Sequence, residues 1–163
     1  MAAPLRTPIL QRMETVMPLA DDASTRALGA TLAGLLRAGD VIALHGDLGA
    51  GKTTLTRGLV QALCGAEEEV PSPTYTLVQA YEAPGFPLWH FDLYRLERPE
   101  DVRELGWDET QEGVAVIEWP ERAGRYLPAS RLDLTLEIVG EQRRARLESV
   151  GEDWQKRLDG FRF

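Results

Sequence analysis

The chain has 163 residues, and its 26 acidic and 18 basic side chains give a formal net charge of −8. This length suits one domain with one core, and a hydrophobic content of 44% is typical of globular proteins. An acidic balance argues against autonomous RNA or DNA binding, which normally uses a basic surface to neutralise phosphates. No apolar run approaches the roughly 20 residues that span a bilayer, and the first residues do not resemble a signal peptide. We therefore expect no membrane contact and a cytoplasmic location.

Hydrophobic spacing predicts helices that alternate with strands. Helical segments have apolar residues every three or four positions, and buried strands are short continuous apolar runs between turn residues. The predicted elements, in chain order, are a flexible leader (1–12), a strand (15–19), a helix that begins near Asp21, a strand (41–44), a glycine-rich loop, a helix that ends at Gly65, strands (74–81 and 88–94), a short helix from Pro99, a strand (114–117), a hairpin (132–139 with 144–150) and a helical stripe of Trp154, Leu158 and Phe161.

This alternation predicts one domain over residues 13–163, with an α/β layered fold and a mostly parallel sheet. We find no internal repeat and no low-complexity segment in the sequence. Cys64 is the only cysteine, so an intrachain disulfide is excluded.

The glycine-rich loop joins the strand at 41–44 directly to a helix. Its sequence at 46–53, Gly-Asp-Leu-Gly-Ala-Gly-Lys-Thr, has the spacing of a phosphate-binding P-loop. Glycines let successive N–H groups point at phosphate oxygens, and the helix N-terminus adds its free amides. The lysine would reach the β- and γ-phosphates, and the threonine would ligate Mg²⁺. The loop therefore predicts binding of ATP and Mg²⁺ through Asp47, Gly49, Ala50, Gly51, Lys52, Thr53 and Thr54.

Two carboxylates are candidates to hold the metal ion or the attacking water, because P-loop enzymes place an acidic residue at the end of a neighbouring strand. Glu118 ends the apolar run at 114–117, and Asp92 lies near the end of the strand at 88–94. A carboxylate within an apolar strand is costly unless a cation or hydrogen bonds compensate it. Alternatively, Glu118 is simply the first exposed residue after its strand, and Asp92 pairs with Arg95. The residues alone leave open which carboxylate ligates the metal.

A further segment, 72–76, follows the loop after the second predicted helix, where P-loop proteins have nucleotide-sensing switches. Thr74 and Thr76 would offer hydroxyls to the γ-phosphate or to Mg²⁺. The alternative is a proline-containing turn with a hydroxyl cap. Trp119, next to Glu118, would either pack on the nucleotide or fill the core.

Four segments in this order carry a more specific resemblance. They are the P-loop at 46–54, Ser-Pro-Thr-Tyr-Thr-Leu-Val at 72–78, His-Phe-Asp-Leu-Tyr-Arg-Leu at 90–96 and Ile-Glu-Trp-Pro at 117–120. Together they resemble the TsaE family, also called YjeE, of bacterial ATPases in the tRNA threonylcarbamoyladenosine pathway. The resemblance runs over about residues 16–150. It leaves the leader and the last ten residues unexplained.

The resemblance implies a P-loop NTPase-like three-layer fold with a mostly parallel central sheet and a small antiparallel extension. It implies an ATP hydrolase that supports or resets an assembly of the TsaB and TsaD proteins, with tRNA contacted only through that assembly. Carried over by position, Thr53 and Glu118 would hold Mg²⁺, Lys52 would hold phosphates and Asp92 would have a catalytic or sensing role. Segment 72–76 would act as a switch, and residues 21–25 would lie near the adenine.

Other nucleotide-binding classes fit less well. A Ras-type GTPase reads guanine through an Asn-Lys-x-Asp motif, and this chain contains no asparagine. A small-molecule P-loop kinase would use the same loop and an arginine-bearing lid, for which Arg95, Arg98 and Arg103 are candidates. A third alternative is a nucleotide-gated docking protein that contacts its partners through Arg143, Arg144 and Arg146.

Overall fold

The computed structural model describes residues 13–161 and 163. In this part of the chain, three α-helices and seven strands form the scaffold. The strands are β1 (Glu14–Leu19), β2 (Val41–His45), β3 (Val78–Ala83), β4 (Phe86–Asp92), β5 (Val114–Glu118), β6 (Arg131–Val139) and β7 (Gln142–Val150), and the helices are α1 (Asp22–Ala33), α2 (Lys52–Cys64) and α3 (Glu152–Asp159). Three short 3₁₀ helices span Pro99–Leu105, Trp107–Glu112 and Pro120–Tyr126.

The described strands form one mixed sheet in the order β1-β7-β6-β2-β5-β4-β3. Three pairings are parallel, β6 with β2, β2 with β5 and β5 with β4. The other three are antiparallel, because hairpins join β3 to β4 and β6 to β7, and β1 lies against β7. The predicted α/β fold is therefore confirmed, with a mixed sheet in which β6, β2, β5 and β4 pair in parallel. The antiparallel part is larger than the small extension that was predicted, since β3 adds to one edge and β7 and β1 add to the other.

The two faces of the sheet are covered differently. The α-helices pack on one face against apolar side chains such as Ile42, Leu44 and Val116, which are fully buried. The 3₁₀ helices cover the other face of β2, β4 and β5, where Phe91 and Ile117 are buried. Because β2 and β5 are covered on both faces, their apolar runs are continuous, as the sequence predicted.

Helices α1 and α2 pack closely enough for their backbones to touch. A Cβ atom placed on Gly58 would lie 2.1 Å from the carbonyl oxygen of Arg26, and one placed on Gly29 would lie 2.1 Å from that of Leu55. Asp21 is the N-cap of helix α1, and its side chain accepts a hydrogen bond of 2.8 Å from the Ser24 N–H. This packing positions α2, whose first residue is Lys52.

One predicted strand begins later than expected. Residues 74–77 form a turn, and β3 starts at Val78. Leu77 has a left-handed backbone with φ 67°, and its N–H donates to the carbonyl of Pro73. A local turn thus replaces the first half of the predicted strand.

The predicted leader, residues 1–12, lies outside the described residues, so the division into a leader and a domain at 13–163 stays a prediction. Within the described residues, no helix is both long and apolar enough to cross a membrane.

Candidate functional site

The loop between β2 and α2 curls through backbone conformations that glycine adopts readily. Gly46, Gly49 and Gly51 have φ angles of 144°, 81° and 107°. Gly46 has a second constraint, because a Cβ atom there would lie 2.6 Å from the carbonyl oxygen of Leu136. The loop ends at the first turn of α2, where backbone N–H groups lack helical partners. Such a curl before a helix N-terminus is suited to hold an anion.

Lys52 projects from this helix start and is only 5% exposed. Its Nζ donates a 2.6 Å hydrogen bond to the Gly46 carbonyl and lies 3.7 Å from the centroid of the Trp119 ring. Burial lowers the pKa of Lys52 below its ordinary value, and the nearby carboxylates, first Glu118 and then Asp92, partly oppose that effect. A cation is therefore held in place, desolvated and beside two acids.

The two predicted carboxylates lie side by side. Asp92 ends β4 and Glu118 ends β5, and the two residues are partners in the parallel register. They are 5% and 3% exposed. Glu118 Oε2 lies 3.5 Å from the Thr53 hydroxyl, while Asp92 accepts hydrogen bonds from the Thr74 hydroxyl (3.3 Å) and the Tyr94 N–H (3.0 Å). The alternatives of an exposed Glu118 and an Asp92–Arg95 pair do not hold, since Glu118 is buried and Arg95 instead lies over the Tyr75 ring.

A histidine that was not among the predicted site residues completes the group. His90 is fully buried on β4, and its Nε2 lies 2.6 Å from Glu118 Oε2. His90 precedes Asp92 by two positions, so both side chains project from the same face of the strand. That spacing, within the segment 90–96, was the available sequence signal.

Trp119 occupies a strained position at the site. Its φ of 56° lies in the left-handed region, which costs a residue other than glycine about 1–3 kcal/mol. This conformation places the ring over Lys52 and 5.0 Å from the Tyr94 ring, centroid to centroid. The side chain thus contacts the lysine and lines the site.

These groups surround a cavity of about 450 Å³. Its lining includes most of the predicted residues, together with Leu48 and Arg143, which were not predicted to contact the nucleotide. The lining residues are Asp22, Leu48, Gly49, Gly51, Lys52, Thr53, Thr54, Ser72, Thr74, Asp92, Glu118, Trp119 and Arg143.

Three of the predicted residues do not line this cavity. Ala50 is fully buried. Asp47 and Glu121 line a second cavity, of about 300 Å³. Lys52 and Trp119 line both cavities. Thr76, the second candidate switch hydroxyl, accepts a hydrogen bond from the Gln79 amide (3.1 Å).

The donors at the cavity suit a hard divalent cation that also binds phosphates. Within residues 13–161 and 163, no three His, Cys, Asp or Glu side chains cluster as a complete metal site. Magnesium is usually held by one or two carboxylates with waters and substrate phosphates, so a complete protein cage is not required. The Thr53 hydroxyl and the Glu118 carboxylate provide oxygen ligands of this kind beside the loop.

Comparisons with known proteins identify the family. A model of the family described as "Threonylcarbamoyl adenosine biosynthesis protein TsaE" matches residues 19–146, which include the whole candidate site. The chain belongs to the TsaE family. It is 46% identical over 124 residues to the protein of Nostoc named "tRNA threonylcarbamoyladenosine biosynthesis protein TsaE", covering 72% of this chain and 75% of that one. The Bacillus subtilis protein of the same name is 38% identical over 134 residues, covering 80% and 83%.

A solved structure has the same architecture. The crystal structure of Bacillus subtilis YdiB superposes with a TM-score of 0.78 at 30% sequence identity, and the match covers 91% of this chain and 94% of that one. The likeness therefore extends over nearly the whole chain, beyond the family segment at 19–146.

Proposed function

We propose that this chain binds ATP with Mg²⁺ in the cavity beside the glycine-rich loop and hydrolyses it in the cytoplasm, as the ATPase of the machinery that makes tRNA threonylcarbamoyladenosine. One observation carries the proposal. A lysine and a threonine at the start of α2 face two buried carboxylates at the ends of β4 and β5, beside a loop whose amides suit phosphates.

Each group has a chemical role in this proposal. Lys52 and the loop N–H groups bind the phosphates, and Thr53 and Glu118 hold the magnesium ion. Magnesium, when bound, supplies charge neutralisation at the phosphates. Asp92 accepts a proton from the attacking water or orients it, and it is joined through Thr74 to segment 72–76. This bond supports a switch role for the segment, since nucleotide-dependent movement there would reach Asp92 directly.

Membership of the TsaE family supports the setting of the reaction. Relatives in this family are named for tRNA threonylcarbamoyladenosine biosynthesis. We propose that the chain works with the TsaB and TsaD proteins and that ATP hydrolysis resets their assembly between turnovers. The net charge of −8 agrees with contact to tRNA only through those partners.

The kinase alternative has less support. A kinase lid would direct its arginines at the transferred phosphate. Here Arg95 lies over the Tyr75 ring, Arg103 lies over the Tyr126 ring and Arg98 pairs with Asp101. None of the three lines the cavity beside the loop.

The decisive experiment measures ATP turnover by the purified protein alone, and with the TsaB and TsaD proteins of its host. Phosphate release should be low for the protein alone and should rise sharply with both partners present. Small-molecule phosphate acceptors are added in separate reactions. The appearance of a phosphorylated acceptor, in place of free phosphate, would reject the ATPase proposal in favour of the kinase.

A further inference from the structure

His90 is a fully buried polar ring for which the proposed function gives no role. Its Nε2 lies 2.6 Å from Glu118 Oε2, and neither side chain is appreciably exposed. Burying a polar ring is costly unless it forms a hydrogen bond, and an apolar residue would fill the same space without that cost. We propose that His90 is a positioning residue, whose Nε2–H holds Oε2 of Glu118 and leaves Oε1 free to bind the magnesium ion. This inference rests on the proposed binding of Mg²⁺ with the nucleotide.

The hydrogen-bond partners of His90 indicate which ring nitrogen carries the proton. His90 Nδ1 is buried without a hydrogen-bond partner among the described residues. A proton on Nδ1 would leave a buried donor unsatisfied and would turn the Nε2 lone pair toward a carboxylate. A doubly protonated ring would leave the same donor unsatisfied. The neutral ring with its proton on Nε2 leaves only an acceptor unpaired, so this tautomer fits the site.

The bond to His90 constrains the carboxylate of Glu118. The terminal torsion of a glutamate is broad, so an unrestrained carboxylate would rotate between several orientations. Here Oε2 is the oxygen that lies near both His90 Nε2 and the Thr53 hydroxyl. Within the described residues, Oε1 receives no hydrogen bond, and Glu118 lines the cavity. A carboxylate held in this way loses less rotational freedom when it binds a cation, which is the usual effect of a partner behind a metal ligand.

Two amide variants of His90 test this role as a matched pair. In His90→Gln the side-chain nitrogen can take the position of Nε2 and still donate to Glu118. In His90→Asn the shorter side chain places its nitrogen near the position of Nδ1, out of reach of Glu118. Both variants replace the ring with a neutral amide, and they differ in whether that amide reaches Glu118.

The affinity for a fluorescent ADP analogue is measured at equilibrium in excess EDTA and at increasing Mg²⁺ concentration. The Asn variant should need about tenfold more Mg²⁺ than the wild type, as loss of a partner behind a metal ligand typically requires. Its affinity in EDTA should be unchanged, and the Gln variant should stay within about threefold of the wild type. An equal Mg²⁺ requirement in the wild type and the Asn variant would overturn the inference. So would a parallel loss of affinity in EDTA, since that indicates a structural role.

A second measurement needs no variant of His90. The chain contains two histidines, so ¹⁵N-labelled histidine gives two ring spin systems, and a variant of His45 assigns them. His90 should have a protonated Nε2, and an Nε2 without a proton would overturn the inference. Nucleotide binding by the wild type that is independent of Mg²⁺ would reject the proposed function, and the role of His90 toward magnesium would fail with it. If Nε2 still carried the proton in that case, the hydrogen bond from His90 to Glu118 would stand.

Discussion

At the scale of single residues, the two carboxylates of the site differ in what holds them. Glu118 contacts His90 and the Thr53 hydroxyl, so it is joined to the first turn of α2. Asp92 accepts from Thr74, whose hydroxyl also lies 2.8 Å from that of Ser72. Asp92 is thus joined to segment 72–76. This division favours Glu118 as the metal ligand and Asp92 as the group that acts on water.

The substitution Asp92→Asn should separate the two roles. Asparagine keeps an oxygen that can accept from the Tyr94 N–H, so the local geometry should persist, but it cannot accept a proton. We expect ATP turnover with the partner proteins to fall about 10²–10⁴-fold, the usual effect of losing a general base. The affinity for Mg-ADP should change little, as a titration with labelled ADP will show.

The matched control for this prediction is Glu118→Gln, which also removes one negative charge from the site. This variant should raise the Mg²⁺ concentration needed for tight nucleotide binding. If Asp92→Asn raised that concentration by as much as Glu118→Gln does, the two carboxylates would act together on the metal ion, and the proposed division of roles would be wrong.

Site residues that belong to a local sequence motif or end an apolar strand could be predicted from the sequence. A residue whose role depends on a contact with a distant part of the chain could not. Lys52 and Thr53 lie in one contiguous motif. Asp92 and Glu118 end parallel strands, whose carboxyl ends meet at one edge of the sheet. All four side chains therefore lie around the cavity. His90 was missed because a buried polar residue within an apolar strand follows no hydrophobic pattern. Its function depends on a neighbouring strand that lies 28 positions away in the sequence.

At the scale of elements, the position of α2 depends on its contact with α1. The two backbones meet at Gly58 and Gly29, and α2 begins with the lysine and threonine of the site. A change in the helix–helix distance would therefore move the first turn of α2 relative to the carboxylates on the sheet. Stability and nucleotide binding should respond together to such a change.

The substitution Gly58→Ala tests this coupling. Its Cβ would lie 2.1 Å from the carbonyl oxygen of Arg26, which is backbone and cannot move aside without shifting α1. We expect the free energy of unfolding to fall by about 1–3 kcal/mol, the usual cost of overpacking. We also expect weaker ADP binding. Urea denaturation and an ADP titration measure the two effects.

Gly34→Ala is the control on the same helix pair. Gly34 has a right-handed helical backbone with φ −69°, and a Cβ atom there would make an ordinary 3.5 Å contact with the Thr31 carbonyl oxygen. Its unfolding free energy should change by no more than about 0.5 kcal/mol. Equal stability of the two variants would show that the close backbone contact at Gly58 does not contribute to the stability of the fold.

Most elements could be predicted from hydrophobic spacing, because most helices and strands bury a regular apolar face. The exceptions are segments that tertiary contacts hold. Thr74 and Tyr75 have strand-forming side chains, yet residues 74–77 form a turn, in which Leu77 bonds to Pro73 and accepts from the Asp92 N–H. The segment from Pro99 forms a 3₁₀ helix, which hydrophobic spacing does not distinguish from an α-helix over so few residues.

At the scale of the whole molecule, the sheet and the C-terminal helix complete the fold around the site. The mixed order of strands was not predictable, because the pattern of a buried strand does not reveal its direction. Of the predicted helical stripe, Trp154 and Leu158 lie on α3, whereas Phe161 follows the end of that helix; all three side chains are buried. Helix α3 lies beyond residues 19–146, which match the family model, yet it packs into the same core as α1 and α2.

An ion pair attaches α3 to the rest of the molecule. Arg157 makes two hydrogen bonds to the Asp40 carboxylate, of 2.6 and 2.8 Å, and donates to the Leu35 carbonyl at 2.9 Å. Both charged side chains are about nine-tenths buried. Asp40 precedes β2, so this contact connects α3 to the strand that leads into the glycine-rich loop.

The substitution Arg157→Met should therefore destabilise the whole molecule. Methionine keeps an apolar stem over the Trp154 ring but leaves the Asp40 carboxylate buried without its cation. Loss of one partner of a buried pair costs about 3 kcal/mol or more, and thermal and urea denaturation will measure it. Arg98→Met is the control, because Arg98 is 70% exposed and its pair with Asp101 at 3.5 Å should contribute less than about 1 kcal/mol.

A double variant shows whether the stability lost in Arg157→Met comes from the unpaired Asp40 carboxylate or from lost packing. If the cost of Arg157→Met comes from an uncompensated carboxylate, adding Asp40→Asn should restore much of the stability, because the amide is neutral and its oxygen can still accept from the Arg37 N–H. If the cost comes from lost packing, the second substitution should lower stability further. Recovery in the double variant would show that α3 is held by a charge pair that spans 117 positions of the chain.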